Sequence, residues 1–232
     1  NLIDQINSIR GRFRTYTDYA NATFEETFLP EELSEAYVVC TERFESSYIE
    51  NLGKGKFRIS ALPLIAQISA IYGMVSGDYD DDGNLDVLMV GNSYAPEISS
   101  GRDDALIGLF LKGDGKGNFK SVDVSASGFF AELDAKGLAS LLLPNGHELM
   151  IIANNDGPMQ TYVTHNVGKY YHAAPGDAYV MMTLKNGKQR KHEFYFGSTY
   201  LSSSSRVVKI PSNINELMVY DIKGVSRKVN VN

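Results

Sequence analysis

A chain of 232 residues with one cysteine, Cys40, and no tryptophan has little covalent or redox chemistry to offer. One thiol makes neither a disulfide framework nor a cysteine-based zinc site. The four histidines (His147, His165, His172 and His192) never fall at metal-ligand spacing, and none stands beside an acidic motif. Each reads as a surface or turn residue. No run of 18 apolar residues exists, so the sequence offers no membrane-spanning helix. No signal-peptide pattern opens the chain, which begins Asn1-Leu2-Ile3 without an initiator methionine. That start reads as a fragment or a processed product. There is no Gly-x-Ser-x-Gly elbow, and neither glycine-rich segment ends in Gly-Lys-Ser/Thr, which argues against an activated serine and a phosphate loop. Basic residues are outnumbered, 22 against 28 acidic, for a net charge of −6, a poor footprint for nucleic acid. The expectation is therefore a non-catalytic protein. Carboxylate pairs suited to glycoside hydrolysis depend on distances in space and are not readable from sequence.

Aspartate is abundant and concentrated. In Ser76-Gly77-Asp78-Tyr79-Asp80-Asp81-Asp82-Gly83-Asn84-Leu85-Asp86, five aspartates fall within nine residues. Side chains two apart in a tight loop converge, so Asp78, Asp80 and Asp82 can aim oxygens at one centre. Gly83 permits the positive φ that turns the chain back. The carbonyl of Asn84 and the carboxylate of Asp86 can complete the shell. Two carboxylates about 5 Å apart repel by roughly 3 kcal/mol at an effective dielectric near 20. A loop gathering several of them needs a cation. Hard oxygen donors in a flexible loop suit Ca²⁺ better than a transition metal. An EF-hand is excluded, because the twelfth place is Met89 rather than Glu and the flanks read as strands.

With 43% hydrophobic residues the chain can bury a core and is expected to hold two structural units. Leu2, Ile3, Ile6, Ile9 and Phe13 recur at helical steps, residues 16–28 form a second helical candidate, and Pro30 opens a third turn. Arg10, Arg12 and Arg14 read as a solvated face. Asn21-Ala22-Thr23 fits a glycosylation sequon, a pattern common by chance. From Ala36 the period changes to two, predicting strands at 37–39 and 47–51. The glycine turn ending in Phe57 returns 62 residues later, ending in Phe119. That is an internal repeat. A third copy keeps both strands (136–143 and 148–154) but replaces the aspartates with Pro144-Asn145-Gly146-His147.

Residues 77–87 resemble the FG-GAP/VCBS repeat of integrin-α-like β-propellers. In that family Asp-x-Asp-x-Asp-Gly-x-x-Asp joins the first two strands of a blade and a glycine turn ending in Phe joins the last two. The resemblance implies Ca²⁺ held by Asp78, Asp80, Asp82 and Asp86 through side chains and by Asn84 through its carbonyl, with Asp81 facing solvent or a neighbouring blade. Phe196-Gly197-Ser198-Thr199-Tyr200-Leu201-Ser202-Ser203-Ser204-Ser205-Arg206 resembles the core of the ASPIC/UnbV domain. The Gly-Leu-Gly usual after that core is replaced by Ile210-Pro211-Ser212-Asn213, and the Trp-Pro-x-Gly end by Tyr220-Asp221-Ile222-Lys223-Gly224.

The implied fold is mainly β: antiparallel blades of a partial propeller with an N-terminal helical segment, followed by a small C-terminal β domain. The expected divisions are a helical insertion (1–45), propeller blades (46–172, a calcium-loop blade at about 70–122 and a degenerate one at about 129–172), and an ASPIC/UnbV-like domain (173–232). Three sheets cannot close a ring of four to eight blades, so further blades are expected upstream and an apolar face at the first one. The implied role is a calcium-binding module, extracellular or in the cell envelope, that binds a protein or glycan partner. The alternative is an accessory domain of a larger secreted enzyme acting on polysaccharide. The serine run 202–205 is expected to be solvated.

Overall fold

The computed structural model describes residues 2–96 and 98–230. The chain divides into two compact units, residues 1–44 and 45–232. The first is helical and broken into short pieces: α1 (Leu2–Gln5), α2 (Asn7–Arg10), α3 (Tyr16–Asn21), α4 (Phe24–Thr27) and α5 (Pro30–Leu33). Both longer periodic stretches are interrupted for local reasons. Ile6 adopts an extended conformation between α1 and α2, which leaves Ile3 and Ile9 as the buried residues of the stretch. The 16–28 candidate splits because Thr23 forms a second capping box with Glu26, after the Thr15–Asp18 box that starts α3. Arg12 is not a solvated face residue. Its guanidinium donates to the Thr27 carbonyl (2.7 Å) and forks onto Glu32 (2.9 and 2.6 Å), pulling the Glu32 carboxyl down to about 2. The expected strand at 37–39 does not form. Tyr37, Val38 and Val39 lie exposed outside regular structure, and the first unit has no strand among its described residues to take their backbone hydrogen bonds.

The second unit is mainly β and its sheets are antiparallel. A hairpin of β1 (Ser47–Gly53) and β2 (Lys56–Ala61) comes first. Its turn takes positive φ at Gly53, Lys54 and Gly55. A four-stranded sheet follows in sequential order, β3 (Ile71–Gly77), β4 (Asp86–Gly91), β5 (Leu109–Gly113) and β6 (Phe119–Val122). The acidic loop joins its first two strands and the second glycine turn joins its last two. Helix α6 (Val124–Ser127) leads to a three-stranded sheet of β7 (Ala135–Leu142), β8 (Glu148–Asn154) and β9 (Gln160–Val163). β3 packs on β7, and Val75, Leu88, Val90, Leu138, Met150 and Ile152 form the core between these two sheets. Each sheet has two ends, and none closes on itself among the described residues.

Beyond them, β10 (Tyr170–His172) pairs with β13 (Val207–Lys209). A last sheet runs in the order β12 (Gln189–Glu193), β11 (Asp177–Leu184), β14 (Ile214–Asp221), β15 (Ser226–Val229). Its core is Val180, Met182, Phe194, Val208, Leu217 and Val219. No described helix is long and apolar enough to cross a membrane.

The serine run is not solvated turn. It lies along the outer edge of β7, whose backbone has no strand partner on that side. Ser204 Oγ accepts the Ser140 N–H (3.0 Å), Ser205 Oγ accepts the Leu142 N–H (3.2 Å), and the Ser205 N–H donates to the Ser140 carbonyl (2.8 Å). Thr199 Oγ1 donates to the Leu138 carbonyl (3.1 Å). Hydroxyls thus take the place of a fourth strand and cover an edge that would otherwise pair with another chain. The double substitution Ser204→Ala, Ser205→Ala strips two part-buried N–H groups of their acceptors. It is expected to lower stability by about 2 kcal/mol in urea unfolding.

Asp177 opens β11 and is almost fully buried. Burial would raise its pKa, but the Tyr171 hydroxyl, Arg227 (2.7 and 2.8 Å) and the Ala174 N–H (2.9 Å) outweigh that and hold it below the ordinary carboxylate value. A depressed folded pKa contributes stability above the unfolded value, near 3.9, that is lost as pH falls through the folded one. Arg227→Ala is expected to cost about 3 kcal/mol at pH 7, because it leaves a buried carboxylate without its cation. Urea midpoints between pH 6 and pH 3 should show the variant losing less on acidification than the parent.

Candidate metal centre

The acidic loop occupies the bend between β3 and β4. Gly77 pairs with Asp86 across the hairpin, so the first and last acidic positions face each other at its neck. Two residues carry the reversal, Asp81 (φ +61°) and Gly83 (φ +83°). Tyr79 anchors the loop from below. Its ring packs against the core of the two sheets and meets Phe110 edge-on at 6.2 Å, and burial pushes its hydroxyl pKa well up.

Three carboxylates close on one another: single oxygens of Asp78, Asp80 and Asp86 all lie within 4.8 Å. Asp86 is fully buried. It accepts the Tyr79 N–H (3.0 Å) and the Gly113 N–H from β5 (2.9 Å). The second bond requires glycine, because a Cβ at 113 would lie 2.1 Å from the Leu85 carbonyl oxygen. Burial raises the Asp86 pKa, and these two donors only partly offset it. Asp78 accepts the Gly83 N–H through Oδ2 (3.1 Å). Its Oδ1 is buried without a hydrogen-bond partner among the described residues. Burial raises its pKa as well, against the attraction of Lys209. A buried anionic oxygen with no donor costs several kcal/mol unless something positive faces it.

Asp82 does not join the trio. Its Oδ1 takes the Asn84 N–H (2.8 Å) and its Oδ2 pairs with Lys112 (2.9 Å); these contacts, Lys112 first, lower its pKa. Lys112 also pairs with Asp80. Asn84 turns its side chain toward Gly115, where a Cβ would lie 2.2 Å from Oδ1. Asp81 is half exposed and pairs with Lys209.

Four cationic or polar groups around the loop escape a reading of the motif alone. Lys112 sits on β5 just before the glycine turn, close enough in the repeat to have been suspected. Lys209 donates to the Asp78 carbonyl (3.2 Å), Arg190 to the Gly83 carbonyl, and Asn166 to the Tyr79 carbonyl (2.9 Å). These three come from 87 to 131 residues away in sequence, and no local signal marks them. Lys112, Lys209 and Arg190 offset three of the five aspartate charges and leave two. A divalent cation matches that remainder, and an all-oxygen donor set selects a hard ion. Asp78, Asp80 and Asp86 could therefore hold a metal ion.

The four histidines contribute nothing here. His147 Nδ1 bonds the Thr164 carbonyl (2.6 Å), and His192 meets Phe194 edge-on with its pKa lowered by burial. A scan of protein-family models finds no match to this chain, and a search of curated proteins finds none either.

Proposed function

We propose that this chain is a calcium-binding β module of the FG-GAP/VCBS type, followed by an ASPIC/UnbV-like β domain. In this reading it is extracellular or in the cell envelope, carries no chemistry of its own, and presents its surface to a protein or glycan partner. The observation that carries the reading is the convergence of Asp78, Asp80 and Asp86, with one buried oxygen of Asp78 left unpartnered. Calcium tolerates irregular coordination by six to eight oxygens at 2.3–2.6 Å, whereas magnesium demands a near-ideal octahedron. A loop already braced by Lys112, Lys209 and Arg190 suits the more tolerant ion. Asp82 and the Asn84 carbonyl are the remaining donors assigned to it, and Asp82 reaches the ion by leaving Lys112.

The blade reading draws support from connectivity. β3 to β6 run in sequential order, with the acidic loop at the first bend and the glycine turn at the last. β7 to β9 repeat the first three strands, and β1–β2 repeat the last two around the same turn. The β1–β2 hairpin keeps Ile49, Leu52, Phe57 and Ile59 exposed. A contiguous apolar face of that kind is what a neighbouring blade or a partner covers.

Calcium at ten times its dissociation constant is worth about 1.4 kcal/mol to the folded state. That corresponds to a rise in melting temperature of about 3–6 °C for a unit of this size. Asp78→Asn, which keeps the shape and removes the charge, should abolish the rise. Asp81→Asn, at the position outside the trio, should keep it. Scanning calorimetry of the three proteins with millimolar calcium and with chelator checks this, and a parent protein indifferent to calcium refutes the site.

A further inference from the structure

A cleft of about 1480 Å³ opens between the β3–β4 sheet and the C-terminal sheet. One wall carries Met74, Val75 and Val87 together with the acidic loop; the other carries β12, β13 and the apolar floor of Met182, Phe194 and Val208. The acidic loop lies where the two walls meet. Lys209 of β13 holds its Asp78 carbonyl and Asp81 carboxylate, and Arg190 of β12 holds its Gly83 carbonyl. Lys188, just before β12, reaches the Gly115 carbonyl of the neighbouring glycine turn (3.4 Å). These contacts go chiefly to backbone carbonyls, which present fixed acceptors only when the loop itself is fixed. The opposite seam, where the serine run meets β7, uses hydroxyls on a regular strand and needs no loop.

We propose that the acidic loop is a cation-dependent latch: ion binding fixes its carbonyls, which hold β12 and β13 against the blade and so set the opening of the cleft. This rests on the metal site above. The ion meets the inner carboxylates, Asp78, Asp80 and Asp86, while the C-terminal sheet grips the outer face of the same ten residues. Neither cation of the grip needs to leave for the ion to enter. Two ligands that order one loop from opposite faces stabilise each other, and the effect is reciprocal. Lys209 and Arg190 also repel an incoming ion, so their removal frees the C-terminal sheet while the relief of repulsion offsets the lost coupling, and the loop should still bind the ion. A purely electrostatic brace would make the opposite link, because the ion would weaken the hold of Lys209 and Arg190 and speed exchange in β12 and β13.

The experiment is amide hydrogen exchange on the whole chain, with calcium and with chelator, alongside calorimetric titration of calcium. Exchange in 189–193 and 207–209 is expected to slow about fivefold or more with calcium, the low end of ordinary coupling. Exchange in β7, held by the serine seam, should change far less. In the Lys209→Ala, Arg190→Ala protein, calcium should still bind while the slowing in those two segments disappears. Where that variant fails to fold, the comparison within the parent protein decides. Calcium heat without a change in β12 and β13 overturns the latch and leaves the metal site standing. No calcium heat in the parent protein overturns both.

Discussion

Five carboxylates gathered into one bend repel each other, and the arrangement of the second unit follows from how that repulsion is met. Part of the answer is internal. Lys112 from β5, Lys209 from β13 and Arg190 from β12 each bring a positive group to the loop. Part is geometric: main-chain N–H groups of Tyr79, Asp82, Gly83, Asn84 and Gly113 all point at aspartate oxygens. What these do not reach is Asp78 Oδ1, buried and without a donor. The residual charge and the unmatched oxygen coincide at the place where three carboxylates converge. A single hard cation there would answer both, which is why the loop, the β3–β4 hairpin and the inward Tyr79 make sense only together.

The serine run shows the same economy applied to an edge. β7 has β8 on one side and, among the described residues, no strand on the other, where serine and threonine hydroxyls and one main-chain N–H meet it. Strand edges are hazardous when left bare, because their N–H and C=O groups template association. Ser204 and Ser205 meet the N–H groups of alternate residues, Ser140 and Leu142, which is the period of an edge strand. Gly137 permits the close approach at the start of this seam, where a Cβ would lie 2.6 Å from Ser202 Oγ. Ser204 and Ser205 are therefore structural, joining this segment to the three-stranded sheet, while the Ser202 and Ser203 hydroxyls donate to the Tyr200 and Phe196 carbonyls (both 3.0 Å) within the segment itself.

Local patterns proved legible in the sequence, and long-range partners did not. The acidic hairpin, both glycine turns and the ion-free third copy follow from alternation and turn chemistry within ten or so residues, and all form where the spacing places them. Helix periodicity in residues 2–28 is also real, but an extended Ile6 and the capping boxes of Thr15 and Thr23 cut it into short pieces. The strand expected at 37–39 fails for a reason invisible locally: β propensity needs a neighbouring strand, and the first unit holds none among its described residues. Of the residues expected to hold an ion, Asp78, Asp80 and Asp86 converge as their spacing suggests, while Asp82 pairs with Lys112 instead. That lysine belongs to the adjacent strand, so the motif alone carries no trace of it. Lys209, Arg190 and Asn166 lie further still, and only the packing of the C-terminal strands brings them to the loop.

The molecule also contains its own comparison. The β7–β8 hairpin is the counterpart of β3–β4, yet it closes through Leu143–His147, with the Leu143 N–H on the His147 carbonyl (2.9 Å) and Gly146 at φ +83°. That short turn gathers no like charges, and the Gly168 N–H meets its Gly146 carbonyl (3.3 Å). The acidic loop is longer, loses more entropy on closure and adds repulsion among its carboxylates. Joining two antiparallel strands therefore cannot be what the acidic loop is for, since its counterpart does that with less. What distinguishes the two bends is their surroundings: only the acidic one is gripped from outside by Lys209, Arg190 and Asn166. A costly loop stands where a cheap one would close the hairpin, and it does so where β12 and β13 meet the β3–β4 bend. What sets the loop apart is therefore that junction rather than the strand pair it connects.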